Sequence, residues 1–310
     1  MEKELQITAD GSHTLYIPAM DEHYHSVNGA LQESRHIFIE AGLHAQEKDF
    51  IRIVEVGFGT GLNAFLTLKD VELSQAHHID YHTVELYPLP LDTIRALNYG
   101  ELIWPERKEL FLALHEAEWN TPVSISERFT LHKIEGNSNA CELPDDIDLI
   151  YFDAFAPEKQ PEMWNQEIFN RLYARMTGGG VLTTYCAKGV VRRMMKEAGF
   201  NFIRGSHYPH SPAFVEACDR EGMLFWSENA FWGIGGFRAD GYWNASAYPV
   251  EAEGRAGFDR SVKTQLAEMI RIHRNHPSII AWSMCNEAFF SAPEAMKGVR
   301  RLLKRICLLY

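Results

Sequence analysis

Residues 51–63, IRIVEVGFGTGLN, hold the key to the architecture of this chain. Ile51, Ile53, Val54 and Val56 make the β-branched run of a strand buried on both faces, and Gly57, Gly59 and Gly61 follow at once. The next seven residues, LNAFLTL, read as an apolar-faced helix. Strand, tight turn and helix form the opening unit of a doubly wound α/β sheet, a Rossmann-like arrangement. Glycines in such a turn let a ligand touch the backbone. The helix start adds free N–H groups and a positive dipole end, which suit an anionic or carboxylate-bearing cofactor.

Two cofactor classes compete for the turn. A dinucleotide fingerprint, G-x-G-x-x-G, needs glycine or alanine at position 62, where this chain has Leu62; its spacing is G-x-G-x-G with Thr60 inside. That favours S-adenosyl-L-methionine over a nicotinamide dinucleotide, with a purely structural turn as the alternative. The cofactor-binding set read from the segment is Glu55, Gly57, Gly59, Thr60, Gly61 and Asn63. A second strand, YHTVEL over 81–86, carries Glu85 at its end, where a carboxylate can accept hydrogen bonds from both ribose hydroxyls. A third strand, FTLHKI over 129–134, leads to Glu135, Gly136 and Asn137, whose polar side chains can reach an adenine. The fourth, IDLIYFD over 147–153, ends in Asp153, at the carboxyl edge where doubly wound sheets place their chemistry. Three glycines, 178–180, precede a fifth strand, VLTTY over 181–185, and residues 188–199 read as a helix with a glycine stop.

With 310 residues, of which 46% are hydrophobic, the chain can bury one large core or two modest ones. No apolar stretch approaches membrane-spanning length, and the N-terminus lacks the basic-then-apolar order of a signal peptide, so a cytoplasmic protein is expected. Five scattered cysteines without C-x-x-C pairs indicate buried thiols rather than a disulfide framework or a zinc site. Residues 1–200 carry 17 basic and 31 acidic side chains, whereas 201–310 carry 13 and 11. An acidic domain is a poor general binder of polyanions, so a nucleic-acid substrate needs a local basic patch. Lys188, Arg192, Arg193 and Lys196 offer one, or else simply a solvated helix face.

Nearer the N-terminus, Asp10-Gly11 marks a hairpin turn between short strands. A helix over about 29–42 follows, packed by Leu31, Ile37, Phe38 and Leu43. His23 and His25 sit two residues apart, with nothing beside them to complete a metal-ligand spacing, so no metal is expected.

Several separated blocks, YHSVNGALQESRHIFIEAG, GFGTGLN, YFDAFAPEKQPEMW and TYCAKGVVRRMMKEAGF, lie in an order that resembles the MnmD/MnmC-type tRNA methyltransferase family over about residues 5–200. The resemblance implies a class I methyltransferase sheet. It also implies methyl transfer from S-adenosyl-L-methionine to the 5-aminomethyl group of a wobble uridine in the tRNA anticodon loop. The attacking amine must be neutral, although a free alkylammonium has a pKa near ~10, so a proton has to be taken up. Asp153 then orients the amine and accepts that proton. Phe155 and Trp164 offer stacking faces for a splayed uracil or for the adenine, unless they are core aromatics. Pro157 shapes the turn beside them, and Lys159 and Lys188 would meet phosphates.

From residue 201 the text changes. The two strands and the basic stretch with which that family closes its sheet do not follow. NFIRGSHYPHSPAF, CDREGMLFWSEN and HRNHPSIIAWSMCNE instead resemble the catalytic barrel of glycoside hydrolase family 2 over about 201–306. That resemblance implies a partial (β/α) barrel with Glu287 as acid/base, Asn286 as a sugar-hydroxyl ligand, and His207 and His210 lining the site. Retaining hydrolysis needs a second carboxylate ~5 Å away. The family's nucleophile lies beyond the matched stretch, and Glu228 and Asp240 are weak stand-ins. Two domains are therefore expected, 1–200 and 201–310, joined within MKEAGFNFIRGSHYPH. Phe202 and Ile203 serve as a surrogate strand for the first, and the aromatic passage 225–248 forms an exposed loop. Sequence leaves the oligomeric state open.

Overall fold

A computed structural model describes residues 2–186, 188–205, 208–229 and 252–284, and the chain divides into two compact units, the first ending at Gly199 and the second beginning at Phe200. In chain order the first unit holds β1 (Glu4–Ile7), β2 (His13–Ile17), β3 (Glu22–His23), α1 (Ala30–Ser34), β4 (Phe50–Val56), α2 (Leu62–Ser74), β5 (His78–Glu85), α3 (Leu91–Arg95), α4 (Tyr99–Ile103), α5 (Glu109–Glu116), β6 (Pro122–Ser126), β7 (Phe129–Glu135), β8 (Ile147–Phe152), α6 (Gln166–Ala174), β9 (Met176–Thr183) and α7 (Gly189–Ala198). A six-stranded sheet in the order β6-β7-β5-β4-β8-β9 runs parallel except for β6, which pairs antiparallel with β7. The edge strand β6 was not legible beforehand: PVSIS is half-exposed and lacks the apolar run that marks a buried strand.

The parallel strands alternate their side chains between two cores. Ile51, Ile53, Tyr81, Leu131, Leu149 and Tyr151 face α2 and α5, while Val54, Val56, Val84, Ile150 and Phe152 face Ile168, Phe169 and Leu172 of α6 and Val191 of α7. Burial on both faces is why β4 and β8 read as unbroken apolar runs. The helix α2 is buried at every position from 62 to 68, each large side chain contributing roughly 1.5–3 kcal/mol.

Three local expectations are corrected. The helix of residues 29–42 is a short α1 continued by a wider turn, the π-helix Arg35–Glu40. Glycines 178–180 lie inside β9 rather than ahead of it; Gly179 takes φ +83°, and the ladder shifts register between Ile147 and Leu149, so these glycines make a bulge. Phe202 and Ile203 belong to β10 (Phe202–Gly205), which pairs with a strand of the second unit and does not extend the large sheet.

That second unit continues with α8 (Pro212–Glu221), β11 (Leu224–Glu228), α9 (Ala252–His273) and β12 (Ile279–Ser283). Strands β10, β11 and β12 form a parallel three-stranded sheet over Val215, Cys218, Met223 and Phe225. The start of the passage expected as an exposed loop is therefore a paired strand, with Phe225 fully buried. The rest of that passage, with Asp240, lies outside the described residues.

The hinge between β4 and α2 leaves no room for a side chain. Gly61 takes φ +73°, and a Cβ there would stand 2.5 Å from His115 Nε2. Gly61→Ala is expected to cost about 1–3 kcal/mol, read as a lower urea midpoint; an unchanged midpoint would show that the turn relaxes freely.

Candidate active site

Beyond the carboxyl ends of β4, β5, β7 and β8 the backbone continues its ladder for one more residue. Gly57 N–H donates to Val84 at 3.0 Å, Gly136 N–H to Glu85 at 2.9 Å, and Asp153 N–H to Val56 at 3.1 Å. These bonds draw the strand ends into one rim around a cavity lined by Gly57, Gly59, Glu85, Asn137, Asp153 and Phe155, among others. Side chains are excluded where the loop is tightest. Gly57 has φ +93°, and a Cβ there would lie 2.9 Å from the Asp153 carbonyl; Gly59 has φ +48°, with the Tyr24 ring 3.2 Å from the equivalent point.

Glu85 holds this rim together. Its Oε2 accepts from Gly59 N–H at 3.0 Å and its Oε1 from Tyr87 N–H at 2.8 Å. Each oxygen keeps a lone pair, so the carboxylate can still accept two hydroxyl donors. Asn137 lines the same cavity, its Oδ1 accepting from Asn139 N–H. A cavity with glycine walls, a carboxylate at the second strand end and an amide at the third fits an adenosyl group.

Asp153 stands on the opposite wall. Asn63 Nδ2 donates to its Oδ2 at 2.8 Å, and burial, opposed by that hydrogen bond and reinforced by the negative charge of Glu33, pushes its carboxyl up to about 7. A carboxylate poised near neutrality can exchange a proton with an amine. Asn63 and Gly61 do not line the cavity. Asn63 orients Asp153, and Gly61 makes room for His115, whose Nε2–H donates to the Thr60 carbonyl at 3.1 Å. Burial, then the neighbouring Lys133 charge, pushes His115 down to about 3, so it acts as a neutral donor. Thr60 does line the cavity and shares a 2.7 Å hydrogen bond with His25 Nε2.

Glu55 is a correction to the cofactor-binding set. It is fully buried beneath the turn and absent from the cavity wall, with Thr83 Oγ1 donating to its Oε2 at 2.7 Å. Burial first, and also the Asp153 charge, pushes it up to about 8 against the Thr83 hydrogen bond. Glu55 Oε1, Asn63 Oδ1 and the Tyr81 hydroxyl all lack partners. A proton retained on Glu55 gives this buried group a donor in place of a charge.

The expected substrate residues separate. Phe155 lines the cavity and meets the Tyr24 ring edge-on at 5.0 Å. Trp164 is a core aromatic: 6% exposed, packed on Phe152 and Phe169, its Nε1–H donating to Phe155 O at 2.7 Å. It therefore offers no open stacking face. Pro157 is half-buried outside the cavity wall. Both lysines are already engaged: Lys159 Nζ donates to Met20 O at 2.8 Å and pairs with Asp21, and Lys188 pairs with Glu158. Sequence reasoning missed Tyr24, His25, Glu33 and Tyr185, which the β3–α1 connection and the segment after β9 bring to the cavities. The block YHSVNGALQES had signalled the segment but no role.

Elsewhere, Asp80, His82 and His132 gather three donor groups. The two imidazoles stack 4.1 Å apart at 12° and turn their Nε2 atoms to Asp80, at 3.2 Å from His82 and 2.9 Å from His132, and Arg52 Nε donates to the same carboxylate at 2.8 Å. In the second unit, Glu228 is fully buried and pairs with Arg204 at 3.1 Å, which removes it as a stand-in nucleophile. His210 Nδ1 meets the Tyr208 carbonyl at 3.1 Å, while His207, Asn286 and Glu287 lie outside the described residues.

Residues 109–217 match the family described as S-adenosyl-L-methionine-dependent methyltransferase, and residues 176–306 match the TIM barrel domain of glycosyl hydrolases family 2. The tRNA 5-methylaminomethyl-2-thiouridine biosynthesis bifunctional protein MnmC of Pseudomonas fluorescens is 33% identical over 229 residues, covering 68% of this chain and 33% of its own length. The protein of that name from Methylobacillus flagellatus is 31% identical over 193 residues, covering 57% and 29%. The chain thus spans about a third of the length of the curated relatives it matches. The crystal structure of MNMC2 from Aquifex aeolicus aligns with a TM-score of 0.54 at 27% identity, covering 64% of this chain and 65% of that one. Together with the glycine rim and the strand-end carboxylates, these likenesses make the N-terminal unit an S-adenosyl-L-methionine-dependent methyltransferase domain of the MnmC type.

Proposed function

We propose that the first unit methylates the 5-aminomethyl group of the wobble uridine in a tRNA anticodon loop, in the cytoplasm. The observation that carries this reading is the placement of Asp153, whose carboxyl borders both the glycine-walled cavity and a second cavity beside it. S-adenosyl-L-methionine, when bound, supplies an electrophilic methyl group. Gly57 and Gly59 admit it to the backbone, Glu85 accepts the ribose hydroxyls, and Asn137 faces the adenine. Asp153, held by Asn63, accepts the proton that the acceptor nitrogen must lose. Phe155 presents a ring to the base. The anticodon loop meets Lys159 and Lys188 only if phosphates displace their present carboxylate partners, which makes both contacts sensitive to salt.

We read residues 201–310 as a fragment of the glycoside hydrolase family 2 barrel, supported by the family match. Among the described residues Glu228 is committed to Arg204, and Glu287 lies outside them.

The rate is expected to rise with pH through about 7, as Asp153 loses its proton, and to level off above about 8, measured as kcat/KM from pH 5.5 to 9. A flat profile would remove Asp153 from the proton path. Asp153→Asn should lower turnover by about 10²–10⁴-fold with cofactor affinity kept within a few-fold. Because the raised folded pKa makes the ionised form costly to bury, this substitution should also raise Tm more at pH 8 than at pH 5. For Glu55, the glutamine variant keeps a neutral donor, so it should fold and turn over within a few-fold of the parent. Glu55→Ala should lose about 1–3 kcal/mol in urea unfolding; equal behaviour of the two would show that Glu55 is not held neutral.

A further inference from the structure

Behind Asp153 and Phe155 lies a second cavity of about 280 Å³, far above the ~10–15 Å³ that a single water needs. It shares Tyr24, His25, Asp153 and Phe155 with the glycine-walled cavity, so the two are joined through the wall that carries the proposed base. Its character is unlike that of a phosphate pocket. Among its lining residues there is no lysine or arginine, while Glu22, Glu33 and Asp153 all contribute. Both histidines on its wall are spoken for. Burial pushes His25 down to about 4, so it is neutral at physiological pH, and His23 Nε2 hydrogen-bonds Gln6 Oε1 at 3.1 Å. Three rings join small residues on the remaining walls: Phe155 and Tyr24 meet edge-on, and Tyr185 donates its hydroxyl to the Ala154 carbonyl at 2.8 Å.

Within that cavity Glu33 is the informative group. It lies near the end of α1 and accepts the Ser26 N–H at 3.3 Å through Oε1, with Oε2 left open toward the cavity. The Ser26 bond ties the loop 24–27 to the helix and fixes where the carboxyl sits. The charge of Glu33 helps raise the Asp153 carboxyl, and burial first, then charges that include Asp153, Glu22 and Glu33, raise the Tyr185 phenol. Three carboxyls and three rings around one space are complementary to a compact cation on a planar aromatic body.

We propose that this cavity is the acceptor site and that Glu33 is the carboxylate that binds the protonated primary alkylamine of the incoming base, selecting an aminomethyl substituent over an unsubstituted uracil. The inference rests on the methyl-transfer reading above and names what distinguishes its acceptor. Glu33 and Asp153 divide the work. Glu33 gathers the ammonium from solvent with the aromatic rings as its floor, and Asp153, on the cofactor side, takes the proton that frees the nitrogen lone pair. Glu33 is thus a specificity-determining residue, and its removal acts on capture of the acceptor more than on turnover.

The test uses the full chain with S-adenosyl-L-methionine at pH 7.5. Calorimetry of the parent protein should show 5-aminomethyluridine binding at least tenfold more tightly than uridine; equal affinities would overturn the inference without recourse to any variant. Glu33→Gln keeps the size of the side chain and its bond to Ser26. It should erase that preference and raise the KM for tRNA bearing the aminomethyl group about tenfold or more. Its kcat should change by less than about threefold and its S-adenosyl-L-methionine affinity by less than about twofold. Glu33→Asp, which restores the charge, should recover part of the KM. An unchanged KM and preference in Glu33→Gln would overturn the role of Glu33. A parent protein that discriminates the two nucleosides but transfers no methyl to tRNA would overturn the functional reading and leave the acceptor-site inference standing.

Discussion

The close approach of two strand ends is the constraint on which the rest of the structure depends. Strands β4 and β8 run parallel and in register, and Asp153 N–H donates to Val56 as the chain leaves the sheet. The Gly57 backbone therefore passes so near the Asp153 carbonyl that no Cβ fits between them. One contact fixes both the floor of the glycine-walled cavity and the position of the carboxylate on its far wall. It also explains why the turn is built from glycine with positive φ at 57, 59 and 61, a conformation that other residues reach only at a cost.

Around that contact the polar groups are layered by burial. Glu55, deepest, is held neutral beneath the turn with the Thr83 hydroxyl as its donor. Asp153, one layer up, is held near neutrality and oriented by Asn63. Glu85 at the rim is bound by two backbone N–H groups that shape the loop. Three carboxyls gathered by the fold around one turn thus take three different roles, set by depth and by partners rather than by residue type. Lys133 supports the same layer from the side. It is 1% exposed, lies 4.5 Å from the Trp119 ring and donates to the His115 carbonyl, so α5 is tied to β7 beside the cofactor turn.

Much of this was legible in the sequence because the sheet is buried on both faces. Strands β4 and β8 announce themselves as apolar runs ending in glycine or aspartate, and the ends of doubly wound strands are where ligands bind. The central turn, Glu85, Asn137 and Asp153 could therefore be placed from the chain alone. What failed did so where local pattern and tertiary environment diverge. Glu55 directly precedes the cavity-lining run that starts at Val56, but strand alternation turns it into the core. Trp164 carries the same aromatic signal as Phe155, yet packs inward on Phe152 and Phe169. Glycines 178–180 signal a turn but make a bulge within β9. Tyr24, Glu33 and Tyr185 reach the site only through long-range packing, for which spacing gives no sign. In the second unit, Phe202 and Ile203 pair with β11, a choice of partner that a four-residue strand does not encode.

The central claim is that a methyl group passes from the glycine-walled cavity to an amine beside Asp153. Its most direct measurement is mass spectrometry of tRNA nucleosides after incubation of the full chain with methyl-deuterated S-adenosyl-L-methionine and tRNA carrying 5-aminomethyl-2-thiouridine. The account predicts one deuterated methyl group on the wobble nucleoside and none on any other. Label found on a different nucleoside, or no label from a protein that binds the cofactor, would contradict it.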